Sequence, residues 1–257
     1  MKFMKIKSFF VLLLGLFSFL TASATPSTTY WAPSTATCQP YAVPHVTYDT
    51  YFAKSGGYPI DTGLTSGFLP FDKIQGEVGF DLLYPTQDPL YFNGKFCTPE
   101  SSIFSGSPAL SIGIYNVGTH ADVTNYNVLH FMLQKSLPFG GYVALGVYHG
   151  LNKTLFTNSD GEIVQTGLLA AASSPDIQIG LSGLKKINFA ADVQTGKNSL
   201  GAWGAGSYLF FTDNISLLTG PVFFLDKKIQ PGANHFMWTM QLDIDIPLGR
   251  AETSAQK

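Results

Sequence analysis

A transmembrane antiparallel up-and-down β-barrel of about twelve strands is the fold class this all-β sequence predicts, and three observations predict it. Long segments alternate apolar and polar residues at every second position, the signature of an extended chain with one greasy and one wet face. The 257 residues are 45% hydrophobic and only 12% charged, where soluble domains average roughly 25% charged. After the first residues, no stretch reaches the roughly 18 consecutive apolar residues of a membrane helix. Apolar content spread over alternate positions, without a long apolar run, is what the lipid face of a barrel requires.

The elements follow in order. Lys2, Lys5 and Lys7 precede the run FFVLLLGLFSFL, and Ala22, Ser23 and Ala24 supply a small-residue cleavage site, so residues 1–24 read as a secretory signal peptide. No cysteine stands at the junction, which argues against a lipoprotein anchor. Removing the three lysines leaves 12 basic against 17 acidic residues, a formal charge of about −5. Basic residues are scattered and form no run, which excludes a nucleic-acid partner. Residues 25–42, rich in Pro, Ser and Thr, form a periplasmic N-terminal segment or a partial plug. The barrel occupies 43–248, and a polar tail, 249–257, ends the chain.

Three segments carry the alternation most plainly. In KIQGEVGFDLLY, Ile74, Val78, Phe80, Leu82 and Tyr84 oppose Lys73, Gln75, Glu77 and Asp81. In INFAADVQTG, Ile187, Phe189, Ala191 and Val193 oppose Asn188, Asp192 and Gln194. In FMWTMQLDIDIPLG, Phe236, Trp238, Met240, Leu242, Ile244 and Ile246 oppose Thr239, Gln241, Asp243 and Asp245. About ten alternating residues suit a tilted bilayer crossing better than a soluble strand. Further strands are expected near 43–53, 60–69, 89–96, 108–117, 124–135, 141–150, 163–173, 200–211 and 215–225, separated by turn signals such as PFGG and TDN. An even count places both termini at one end, with TDN at that end and the polar stretch LNKTLFTNSDGE at the other. The long segment 174–186 has room for an additional strand. Cys38 and Cys97, in an exported chain, are expected to pair and to tie the N-terminal segment to the rim.

The signal peptide, the dyad strands and segments such as DVQTGKNSLGAWGAGSYLFFTDNISLLTGPVFFL resemble Gram-negative outer-membrane β-barrel proteins over residues 40–248. The resemblance is one of pattern, without a member-specific motif. Members usually end their last strand in an aromatic residue, whereas Ile246 and Leu248 stand here. It implies an outer-membrane location with periplasmic termini, lipid as the surrounding solvent and the barrel-assembly machinery as the partner in biogenesis, the barrel being read as a monomer. Tyr48, Tyr84, Tyr115, Tyr142, Tyr148 and Tyr208 recur near strand ends, where each fits either an interfacial girdle or ordinary packing.

Function has to come from the inward face. The pore-lining candidates are His45, Asp49, Glu77, Asp81, Asp192, Gln241, Asp243 and Asp245. A narrow pore lined by carboxylates attracts cations, so the expectation is a passive, porin-like channel for small polar solutes with modest cation preference. The competing reading lets these acids hydrate the lumen or pair with Lys73, Lys95 and Lys135. A non-conducting structural or binding barrel is a second class, and an outer-membrane hydrolase a third. Around His120, His130, His149 and His235 no nucleophile motif stands, so no catalytic residue is assigned. No cofactor or metal ligand set is expected either. The Gly-rich GAWGAG lacks the lysine and the helix of a phosphate loop, and its glycines read as places where strands crowd.

Overall fold

The computed structural model describes residues 28–54, 60–84 and 88–248. The signal-peptide and C-terminal-tail expectations, 1–24 and 249–257, lie outside the described residues. Thirteen strands follow one another: β1 (His45–Phe52), β2 (Ile60–Gly67), β3 (Gln75–Tyr84), β4 (Leu90–Thr98), β5 (Ala109–Gly118), β6 (Asn125–Ser136), β7 (Tyr142–Gly150), β8 (Thr166–Ser173), β9 (Ile177–Leu181), β10 (Leu184–Gln194), β11 (Ala202–Phe210), β12 (Ile215–Phe224) and β13 (Phe236–Asp245). Apart from β8 and β9, neighbours in sequence pair antiparallel, and β1 closes the sheet on β13, with His45 opposite Asp245 and Phe52 opposite Trp238. Closure leaves no open edge, as hydrocarbon demands of a sheet.

The ring has twelve staves although it has thirteen strands. Both β8 and β9 pair with β10, β8 through Leu169–Ser173 and β9 through Ile177–Leu181. They are two halves of one stave, interrupted at 174–176. Pro175 has no N–H to give to a ladder, and Ser174 covers the gap: its N–H donates to Phe189 O (2.8 Å), and its hydroxyl accepts from Phe189 N–H (2.9 Å). The segment 174–186 thus contains a short strand that lengthens an existing stave.

Outside, apolar side chains recur around the ring, among them Val78, Phe92, Ile112, Phe131, Leu168, Phe189 and Trp203. On β7 the alternation is complete: Val143, Leu145 and Val147 are 44%, 57% and 48% exposed, while Ala144, Gly146 and Tyr148 are buried. On β13, Phe236, Trp238 and Met240 face out, and Met237, Thr239, Gln241, Asp243 and Asp245 face in. A closed antiparallel barrel, apolar outside and polar within, is a β-barrel of the outer-membrane type. Among the described residues no helix is long and apolar enough to cross a membrane.

β1 begins and β13 ends at one end of the barrel, where Ile246 N–H donates to Pro44 O and Asp245 N–H to Asn214 O of the 211–214 turn. The connection 151–165 lies at the other end. Two of the tyrosines near strand ends, Tyr48 and Tyr84, are exposed on the outer wall. The other four follow the packing alternative: Tyr115, Tyr148 and Tyr208 are buried inside, and the Tyr142 hydroxyl hydrogen-bonds with that of Thr29. Their strand parity points inward, and proximity to a strand end does not change parity.

Candidate functional site

The barrel contains chain as well as space. Residues 29–39 run inside it, with Thr29, Tyr30, Ala32, Ser34, Thr35, Ala36, Cys38 and Gln39 each at most 2% exposed. An irregular backbone buried in this way must find partners for its polar groups, and inward side chains from several staves supply them. Asp192 on β10 accepts from the N–H groups of Tyr30, Trp31 and Ala32 (2.9 to 3.0 Å) and from the Ser34 hydroxyl (2.6 Å). Gln134 Oε1 on β6 accepts from Thr35 Oγ1 (2.7 Å) and Ala36 N–H (2.9 Å). Glu77 on β3 accepts from Gln39 N–H (2.6 Å), and Gln39 Nε2 donates to Asp245 on β13 (2.8 Å). The Tyr208 hydroxyl donates to Thr29 O (2.9 Å). Hydrogen bonds to an ionised group stabilise by about 1.5–3 kcal/mol each, so Asp192 alone is a strong anchor. A disulfide joins Cys38 to Cys97 at the end of β4.

Packing complements these bonds. The Tyr30 ring lies against β11 and β12 where Gly204, Gly206 and Gly220 leave room; a Cβ on Gly204 would fall 2.2 Å from its Cε1. Gly204 and Gly206 of GAWGAG therefore form the seat of an aromatic ring. Tyr30 continues into a cluster with Tyr208, Leu218, Val222, Phe224 and Met237, and Ala32 and Ala36 into another with Met132, Tyr148, Phe156 and Leu169.

What remains is a cavity of about 420 Å³, within the range of small-molecule sites. Of the pore-lining candidates, His45, Asp49, Glu77, Asp81, Gln241 and Asp243 line it. Asp192 and Asp245 are buried and face inward, yet they hold the N-terminal segment and are not on the cavity wall. Where β1 meets β13, His45 sits between two carboxylates, with Nε2 3.3 Å from Asp243 and Nδ1 2.9 Å from Asp245. Lys95 and Glu77 form an ion pair at 3.4 Å inside the barrel, whereas Lys135 reaches Glu100 at the rim (2.6 Å).

Asp49, Asp61 and Asp81 differ from Glu77, Asp243 and Asp245: among the described residues, no Lys, Arg or His lies within ion-pair distance of any of them. Asp49 and Asp61 are cross-strand partners on β1 and β2, and Asp81 of β3 leans over Gly63, whose Cβ would fall 2.4 Å from its Oδ1. Asp49 accepts from the Thr47 hydroxyl (2.6 Å), and Asp81 accepts from the Asn93 amide.

Sequence reasoning missed Asp61, His130, Gln194 and Asn93 as lining residues, although all four face the cavity. Asp61 stands two residues before Gly63 in IDTGLTSG, and alternation from that strand was signal enough to find it. His130 carried no such signal, because β6 reads NYNVLHFMLQKS and its inward positions, Val128, His130 and Met132, are of mixed character. His120 pairs with Asp88 (3.1 Å), and His149 hydrogen-bonds with the Thr166 hydroxyl (2.7 Å). Among the described residues no three His, Cys, Asp or Glu side chains are grouped to hold a metal ion.

No protein family and no curated protein matches the chain. Among solved structures, the chain is similar to an outer membrane channel from Pseudomonas putida F1, at 12% identity over 84% of this chain and 99% of that one, with a TM-score of 0.44. It is also similar to the N-terminal β-barrel domain of Pseudomonas aeruginosa OprF, at 11% identity over 81% of this chain and 100% of that domain, with a TM-score of 0.24.

Proposed function

We propose that the protein resides in the outer membrane of a Gram-negative bacterium, with both termini periplasmic, and works as a narrow passive channel for small polar solutes with modest cation preference. The observation that carries this reading is the set of lumen carboxylates Asp49, Asp61 and Asp81, which face a cavity without a cationic partner among the described residues. Low-dielectric walls focus their field, raising the local concentration of cations and lowering that of anions. The N-terminal segment 29–39 narrows the lumen and leaves that acidic wall uncovered. Single-channel conductance in planar bilayers, with the reversal potential taken across a KCl gradient, tests the reading. Steady conductance with a cation-selective reversal potential is expected, and the combined Asp49→Asn and Asp81→Asn substitutions shift that potential toward zero. An unchanged potential in this variant removes the carboxylates from the mechanism.

The second reading, a non-conducting barrel, is favoured by the many bonds that hold residues 29–39 in the lumen. A folded, heat-modifiable barrel that never conducts is its signature.

A further inference from the structure

The cavity walls are chemically unequal, and the inequality suits one class of ligand. On the β1–β3 side, Asp61 Oδ1 is buried without a hydrogen-bond partner, beside Asp49 and Asp81. Carboxylates gathered away from bulk water without a counter-charge are unfavourable, and a ligand cation relieves that cost. Polar groups that lack partners also face the cavity from β6 and β10. His130 is only 4% exposed, and neither of its ring nitrogens has a hydrogen-bond partner. Gln194 is 2% exposed; its Oε1 accepts from the Tyr115 hydroxyl (3.0 Å), while its Nε2 has no partner. Buried polar groups are satisfied in the great majority of cases, so groups left open toward a cavity point to atoms a ligand would bring.

The charge pattern narrows the class further. A metal ion is disfavoured, since no group of three ligating side chains is assembled among the described residues. Trp31, Tyr51 and Tyr91 line the same cavity, and aromatic faces attract organic ammonium groups. A neutral imidazole both donates and accepts, which matches a hydroxyl. A ligand carboxylate would meet the field of Asp49, Asp61 and Asp81, while the Lys95 and His45 side chains that line the same cavity are already paired with Glu77 and Asp243.

We propose that this cavity binds a small amino alcohol, with its ammonium group among Asp49, Asp61 and Asp81 and its hydroxyl at His130 and Gln194. The proposal rests on the channel reading only in making the ligand a solute that the barrel takes up. The test is isothermal titration calorimetry of the refolded chain in detergent micelles with aminohexanol, and with hexanediol and aminohexanoate as neutral and zwitterionic counterparts. Saturable binding of aminohexanol is expected, with each counterpart at least about tenfold weaker, about 1.4 kcal/mol. Asp61→Asn weakens aminohexanol binding by a similar factor, and His130→Phe weakens it while leaving the ring packing against Tyr115 in place. Asp81→Asn replaces Asp61→Asn if the latter does not fold. Absence of saturable binding, equal binding of hexanediol, or unchanged affinity in the carboxylate variant overturns the proposal. KCl conductance of the same preparation separates the two readings. A conducting barrel that binds no aminohexanol refutes this site alone, whereas a silent barrel that binds it refutes passage and retains the site.

Discussion

The two sides of the lumen are made from the same inward parity and end in opposite states. On the β10–β12 side, Asp192 is surrounded by three backbone N–H groups and a hydroxyl, and Tyr30 fills the space above Gly204 and Gly206. On the β1–β3 side, Asp49, Asp61 and Asp81 border open space, and Asp61 Oδ1 has no hydrogen-bond partner among the described residues. In sequence Asp192 and Asp81 look alike, each an acid between apolar neighbours on an alternating strand. The difference arises from what lies opposite: the N-terminal segment turns its backbone N–H groups to Asp192 and, although Gln39 reaches Glu77 and Asp245, none of its donors reaches Asp49 or Asp81. An inward acid is therefore an anchor or a pore residue according to its partner, and strand parity alone does not distinguish the two.

The largest expected effect concerns the fastening itself. Replacing Cys38 and Cys97 by Ser opens a loop with a sequence separation of 59, which should cost about 4 kcal/mol on a chain-entropy basis. It is measured as a lower urea midpoint of the refolded barrel. A smaller loss would show that the packed wall holds the segment without help from the disulfide.

Next comes the direct contrast between two aspartates. Asp192→Ala strands several buried donors and should cost about 3 kcal/mol or more, with a rise in single-channel conductance as residues 29–39 loosen. Asp81→Ala should cost about 1 kcal/mol or less and lower cation preference without opening the lumen. Equal losses in the two variants would erase the distinction between the walls.

Glycines sharpen the same contrast at lower amplitude. A Cβ on Gly206 falls 2.3 Å from Thr219 O and 2.6 Å from the Tyr30 ring, whereas on Gly94, opposite the outward Val78 on β3, its nearest neighbour is 3.7 Å away. Gly206→Ala should destabilise by about 2 kcal/mol, and Gly94→Ala by no more than about 0.5 kcal/mol.

The smallest effect belongs to the rim. Lys135 and the Ser136 amide hold the Glu100 carboxyl down at about 2. Because the folded value lies below the ordinary one near 4.3, the contact contributes fully above that ordinary value and is lost as pH falls toward about 2. Hydrogen exchange at the Ser136 amide should stay protected at pH 5 and lose protection near pH 2, while the Asp192-bound amides of residues 30–32 remain protected longer because they are buried. Simultaneous loss of both would place the rim and the packed wall in one cooperative unit.

The barrel was legible in the chain because its governing signal is local. Side-chain parity along β3, β7 and β13 assigns the outer face directly, and turn signals divide the staves. Of the interrupted stave, β8 was expected near 163–173 and β9 only as room for an additional strand in 174–186, since Pro175 breaks the ladder and Ser174 repairs it through a side chain that no periodicity reports. The inward tyrosines Tyr115, Tyr148 and Tyr208 were left open between girdle and packing because position near a strand end was read without parity.

The amino-acid sequence by itself determined the approximate number of staves, the membrane-facing wall and an acidic interior, since each depends on residue type at alternate positions. Tertiary structure alone decided which interior acids meet backbone donors, why the GAWGAG glycines are needed, and where His130 and Asp61 share a cavity. Those outcomes depend on an irregular segment of the chain lying across many staves, at separations such as the 162 residues between Tyr30 and Asp192. No local pattern encodes a contact of that kind, because its energy exists only once the ring has closed.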